Sequence, residues 1–282
     1  MTAFNLVIQG ADIATGDLKA LCGLARGGAI ERISGQAFRI AQADPAAQSA
    51  VAAHCAASSL DWGFVADGRR LADFGLLALD MDSTLITAEC IDEIADFAGR
   101  KAEVAAVTAA AMRGDIDWPA SLHLRIAALA GLEEGVLERV YRERVRLSEG
   151  AEDLLGAARR RGLRTLLVSG GFTYFTDRLR ERLGLDEAHA NELLVESGRL
   201  AGRVTGPLVD AAGKARHLAR MREALGLPKE RVLAIGDGAN DLAMMAEAGT
   251  SIAFHAKPIV RKEATFVLAH VGLQGVLGLF PA

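Results

Sequence analysis

The first seventy residues alternate short apolar runs with polar stops. Asn5-Leu-Val-Ile-Gln-Gly10 predicts a strand closed by Gly10. Between Asp17 and Arg26, Leu18, Leu21, Cys22 and Ala25 recur at helical spacing, and Gly27-Gly28 ends the run. Ala29 to Ile33 and Ala37 to Ala41 alternate around Ser34-Gly35-Gln36, which predicts a hairpin. Gln48 to Ser58, following Pro45, predicts a second helix, and Trp62 to Ala66 a last strand before Asp67-Gly68. The predicted order is β-α-β-β-α-β, the split ferredoxin-like arrangement.

From Gly75 onward the pattern changes. Leu76-Leu-Ala-Leu79 is a short apolar run that ends in carboxylates. Ala88 to Leu147 is mostly helical in pattern. Leu163 to Val168 predicts a buried strand ending in Ser169-Gly170-Gly171, and Val232 to Ile235 another ending in Gly236-Asp237-Gly238. Ser251 to Phe254 and Thr265 to Leu268 are further short strands. Strands alternating with helices predict an α/β fold with a mostly parallel sheet, whose ligands sit at the carboxyl ends of the strands. The polar clusters lie just past those ends.

Composition narrows the function classes. The 282 residues are 51% apolar and 24% charged, which fits a packed globule. Their net charge of −4 argues against a nucleic-acid footprint. No apolar run reaches the ~18 residues of a membrane span. The amino terminus has no basic segment and no cleavage-like site, so no signal peptide is expected. Cys22, Cys55 and Cys90 are too few and too widely spaced for a disulfide framework or a zinc knuckle, which predicts a reducing cytoplasm. None of the six histidines has metal spacing with another.

Four strand-end segments carry candidate chemistry. In Asp80-Met81-Asp82-Ser83-Thr84, one carboxylate is placed to attack a substrate while the other moves a proton; the ordinary alternative is a helix cap. Ser169-Gly170-Gly171 offers a hydroxyl and backbone N–H groups to an anion, or is a plain glycine turn. Lys214, in a first helical turn, opposes the helix dipole unless an anion is near; alone it reads as a surface lysine. Gly236-Asp237-Gly238-Ala239-Asn240-Asp241 places two acids suited to a hard cation beside glycines that permit close approach.

Together, and in this order, the four segments resemble the haloacid-dehalogenase-like superfamily of phosphohydrolases. No Walker A pattern surrounds Lys214, and no G-x-S-x-G elbow is present. Within the superfamily, Asp80 to Gly99, Ala111-Met112-Arg113-Gly114, Ser169-Gly-Gly-Phe172 and Gly236 to Asp241 are similar to the phosphoserine phosphatase family over roughly residues 75–270. The family often has Phe where this chain has Met81 and Trp118, swaps that keep an apolar body. The resemblance implies a haloacid-dehalogenase-like core over residues 73–282 with a helical cap inserted at about 86–147. Residues 1–72 resemble ACT modules in pattern only.

The resemblance also implies the roles. Asp80 is the nucleophile that forms an aspartyl-phosphate, and Asp82 the general acid and base. One magnesium ion is held by Asp80, Asp237 and the backbone carbonyl of Asp82, with Asn240 and Asp241 ordering that site. Ser169, Gly170 and Lys214 bind the phosphoryl oxygens. Arg125 takes the substrate carboxylate, Glu89 its ammonium, and Met112 and Trp118 line the apolar side. One support is independent of the resemblance. Trp118, Leu122, Arg125 and Leu129 fall at i, i+4, i+7 and i+11, and an arginine within that apolar stripe is costly unless it meets an anion or snorkels to water. The implied substrate is O-phospho-L-serine, hydrolysed in the last step of L-serine biosynthesis, with no nucleic-acid or membrane partner. Two rivals stay open: another small phosphomonoester or transfer to an acceptor such as homoserine, and an amino-acid-sensing regulator led by residues 1–70. Homodimerisation through those residues is a further expectation.

Overall fold

The computed structural model describes residues 3–111 in full, the backbone of Met112, and residues 115–282. β1 (Phe4–Gln9) explains its own unbroken apolar pattern, because both its faces are covered. Leu6 and Ile8 pack in a small core of their own, while Val7 joins the main one. The chain continues through α1 (Thr15–Leu24), β2 (Ile30–Arg32), β3 (Ala37–Ile40), α2 (Gln48–Ala57) and β4 (Asp61–Ala66). The four strands form an antiparallel sheet in the order β2-β3-β1-β4, the ferredoxin-like arrangement that the pattern predicts.

This sheet is fastened to the rest of the molecule. Asp61 accepts backbone N–H groups from Ala269, His270 and Val271 at 2.8, 2.8 and 3.1 Å. Gly63 is needed for close approach, since a Cβ there would stand 2.6 Å from the Phe266 ring.

The larger part begins at β5 (Leu76–Leu79). Four helices follow: α3 (Cys90–Phe97), α4 (Lys101–Met112), α5 (Trp118–Ala127) and α6 (Gly135–Glu143). Then come α7 (Ala151–Arg160), β6 (Arg164–Phe172), α8 (Thr173–Leu183), β7 (Glu187–Glu196), β8 (Arg199–Thr205) and α9 (Ala211–Ala224). The chain ends with β9 (Val232–Gly236), α10 (Leu242–Met245), β10 (Thr250–Phe254), α11 (Pro258–Glu263), β11 (Phe266–Leu268) and α12 (Gly275–Leu279). The sheet order is β11-β10-β9-β5-β6-β7-β8, parallel except for β8. Leu77, Leu79, Leu167 and Ile235 face one core layer and Leu76, Ala78, Leu166 and Ala234 the other, so each central strand is apolar on both faces.

Two features differ from the expected pattern. β6 does not stop at Val168 but runs to Phe172, with a register irregularity against β7 across the glycines. The β7–β8 hairpin is absent from the sequence reading. Its two-residue turn, Ser197-Gly198, has φ values of +50° and +73°, the left-handed pair of a tight hairpin turn.

The helical insert has a defined neck. Ile86 and Leu147 form an antiparallel bridge where the chain leaves the sheet and returns. Its far side rests on β8, where Gly131 N–H donates to the Leu200 carbonyl and Leu200 N–H to the Leu132 carbonyl, both at 2.8 Å. No helix of the described residues is long and apolar enough to cross a membrane.

Candidate active site

Asp80 leaves β5 buried, and a single wide turn over Met81–Leu85 follows it. Within that turn Ser83 has φ +56°, and Ile86 N–H closes on the Met81 carbonyl at 3.0 Å. The turn brings Asp80 and Asp82 to one pocket of about 450 Å³. Asp82 Oδ1 accepts the Cys90 N–H at 3.3 Å, at the start of α3. A Cβ on Gly171 would lie 2.9 Å from Asp82 Oδ2, so glycine there lets β6 approach the carboxylate.

The glycine pair is pinned from behind. Ser169 is buried, and its Oγ accepts the Gly171 N–H at 2.8 Å. Asn191, also buried, donates to the Gly170 carbonyl at 2.8 Å and accepts the Val209 N–H at 2.8 Å. The Trp118 ring lies against Gly170, where an added Cβ would come within 3.0 Å of it. The insert therefore touches the sheet at the pocket.

Lys214 is not the solvated lysine that its sequence context alone suggests. Its side chain is 0% exposed. Asp210 caps α9 by accepting the Gly213 N–H at 2.7 Å, which sets the first turn that carries it. The Lys214 ammonium donates to Asp80 and, at 2.7 Å, to Asp241. Burial alone would lower its pKa, but the Asp241 and Asp80 carboxylates outweigh burial and raise it.

Asp241 organises the loop after β9. Its Oδ2 accepts the N–H groups of Asp237 and Gly238 at 3.1 and 3.0 Å. Carboxylate oxygens of Asp80, Asp237 and Asp241 all lie within 4.8 Å of one another. Burial and then Asp241 push Asp80 well above the usual carboxylate range, and the same two causes bring Asp237 to about 6. Three carboxylates around one ammonium are short of positive charge, and all the donors are oxygen, so the cluster suits a magnesium-like cation. Asp241 already spends Oδ1 on Lys214 and Oδ2 on two N–H groups, which leaves Asp80 and Asp237 as the available ligands. Burial, then the nearby Glu89 charge, raise Asp82 to about 7.

The other end of the pocket belongs to the insert. Glu89 is exposed and accepts the Ser83 hydroxyl at 2.7 Å. Arg125 is half-buried and lines the pocket, and its Nε is buried without a hydrogen-bond partner. Trp118 and Asn240 also line it. Leu122 and Leu129 are buried, so the stripe around Arg125 is indeed an inward face. The Met112 side chain and Arg113-Gly114 lie outside the described residues. Asp92, Ser121, Lys257 and Asn191 escaped the sequence reading. The first three line the pocket; Asp92, three residues after Glu89, and Ser121, four residues before Arg125, carried a periodic signal.

Residues 77–246 match the family model described as haloacid dehalogenase-like hydrolase, and residues 6–51 match a domain of unknown function. A phosphoserine phosphatase of Albidiferax ferrireducens is 50% identical over 216 residues, which cover 75% of this chain and 91% of that protein. The crystal structure of a probable phosphoserine phosphatase from Vibrio cholerae superposes with a TM-score of 0.83 at 36% identity, covering 98% of this chain and 86% of the other. A phospho-aspartyl intermediate analogue of phosphoserine phosphatase superposes with a TM-score of 0.69 at 37% identity, over 73% of this chain and 99% of the other.

Proposed function

The chain belongs to the haloacid dehalogenase-like hydrolases and, among them, to the phosphoserine phosphatase family, and from that premise we propose that it hydrolyses O-phospho-L-serine to L-serine and phosphate. Asp80 attacks phosphorus through a carboxylate oxygen, forming the O–P bond of an aspartyl-phosphate as the bond to the serine oxygen breaks. Asp82 gives its proton to that leaving oxygen. It then takes a proton from the water that attacks phosphorus, and phosphate departs as the Asp80 carboxylate is restored. Lys214 offsets charge at Asp80, where an anion attacks an anion. The Ser169 hydroxyl and the Gly170 N–H hold phosphoryl oxygens, with Asn240 at the rim. Asp80, Asp237 and the Asp82 backbone carbonyl would hold one magnesium ion, which supplies further charge neutralisation when bound.

The helical insert selects the amino-acid part. Arg125 binds the carboxylate and Glu89 the ammonium, beside the Trp118 ring. Closure of the insert excludes water during the first half-reaction. The observation that carries this reading is the pairing of two unlike ends in one pocket: Asp80, backed by the buried Lys214–Asp241 pair, and an arginine with a buried, unpartnered Nε. The three free cysteines suit a reducing cytoplasm.

The test is phosphate release from O-phospho-L-serine and from a generic phosphomonoester, with magnesium and with chelator, with and without homoserine. Magnesium-dependent release that favours phosphoserine and ignores homoserine supports the proposal. Preference for the generic ester overturns the amino-acid roles, and homoserine-dependent loss of phosphate release makes the protein a transferase.

A further inference from the structure

Two polar side-chain atoms on this pocket's lining residues are buried and unpartnered: Arg125 Nε and Asp92 Oδ1. The first already has a role. Asp92 has none. It stands in the first turn of α3, and Glu89 is the residue just before that helix. A separation of three places both carboxylates on one face of the turn. An acid at this position ordinarily turns back to cap the helix by accepting a backbone N–H. Here Asp92 Oδ1 accepts nothing. A buried carboxylate oxygen without a donor is costly, so its partner is a group that arrives from outside.

The substrate offers one such group. Its phosphate and carboxylate are acceptors and are repelled by Asp92, whereas its ammonium has three N–H donors and no acceptor capacity. Glu89 has less acceptor capacity left for that ammonium, since its Oε1 already accepts the Ser83 hydroxyl. We propose that Asp92 is a second carboxylate for the substrate ammonium, and that it sets the preference for amino-acid phosphate esters over amine-free ones. This inference rests on the phosphoserine reading above.

The experiment compares kcat/KM for O-phospho-L-serine with that for 3-phosphooxypropanoate, the same ester with hydrogen in place of the ammonium. The ratio is measured in the wild type, Asp92→Ala and Asp92→Asn, each with its melting curve. The ratio is expected to fall by about tenfold or more in Asp92→Ala, and by less in Asp92→Asn, which keeps an acceptor but no charge. A merely structural role would lower both kcat/KM values together. If Asp92→Ala does not fold, the isosteric Asp92→Asn carries the test. An unchanged ratio in a folded variant overturns the Asp92 assignment alone. A wild type that does not discriminate between the two esters overturns the phosphoserine reading and this assignment with it.

Discussion

Lys214 beneath the sheet's carboxyl edge and Arg125 in the helical insert are held in opposite ways. Lys214 is fully enclosed and donates to two carboxylates, Asp80 and Asp241, which are themselves buried. Arg125 is half-buried, makes no ion pair among the described residues, and keeps a buried Nε without a partner. At the end proposed for the phosphoryl group, the lysine is paired on folding and the surplus carboxylate charge of Asp80, Asp237 and Asp241 is left for a cation. The end proposed for the amino-acid part keeps Arg125 unpaired in the folded chain. The difference separates residues whose loss harms both the fold and the chemistry from residues whose loss harms recognition alone.

The largest effect is expected at Asp80. Asp80→Asn keeps the shape but removes the attacking oxygen anion, and turnover should fall by about 10⁴-fold or more in single-substrate kinetics. Residual turnover near wild type would place the nucleophile elsewhere. Lys214→Met leaves Asp80 and Asp241 buried without their cation. Denaturant unfolding should show a loss of about 3–5 kcal/mol, together with lost activity, because an uncompensated buried charge is costly. Wild-type stability in that variant would break the contrast at its buried end.

Arg125→Met probes the other end. Its kcat/KM for phosphoserine should drop by about 10²-fold. Its stability should stay within about 1 kcal/mol of wild type, since no protein partner is stranded. A strong destabilisation would mean that the arginine serves the fold. The smallest effect concerns pH. Asp82 and Asp237 titrate near 7 and near 6 in the folded chain, above their ordinary value of 3.8. The folded state thus holds more protons than the unfolded state between these values, so stability of the chelated protein falls as pH rises from about 4 through 7. Magnesium, which requires ionised ligands, should raise the melting temperature more at pH 8 than at pH 5, by about 2–4 °C for each kcal/mol gained. An equal magnesium effect at both pH values would contradict the raised carboxylates.

Local pattern carried much of this structure, and tertiary pairing carried the rest. The amino-terminal β-α-β-β-α-β order was legible because each run had a turn signal beside it, such as Ser34-Gly35 or Gly27-Gly28. The strand ends at Asp80 and Gly236 were legible because a short apolar run stopped abruptly at polar residues and glycine, whereas β6 runs on through Ser169 to Phe172. The β7–β8 hairpin was not. Glu187-Ala-His-Ala-Asn-Glu has little strand propensity, and it is a strand because it pairs with β6 and then carries β8, on which the insert rests. The turn signal Ser197-Gly198 was present, without an alternating run on either side to interpret it. The burial of Lys214 was hidden because its partners lie 134 and 27 residues away in the chain. Asn191, which pins the glycine pair, sits in the same unpromising strand. Asp92 stands like any acid in a first helical turn, and only its unpartnered oxygen distinguishes it.

One measurement bears most directly on the division between a prebuilt phosphoryl end and a substrate-completed amino-acid end. The kcat/KM values for O-phospho-L-serine and for a small generic phosphomonoester are compared in wild type and Arg125→Met, with magnesium present. The division predicts that the ratio of the two falls by about 10²-fold in the variant, because the loss falls on phosphoserine. Equal losses on both esters, with the ratio unchanged, would contradict it.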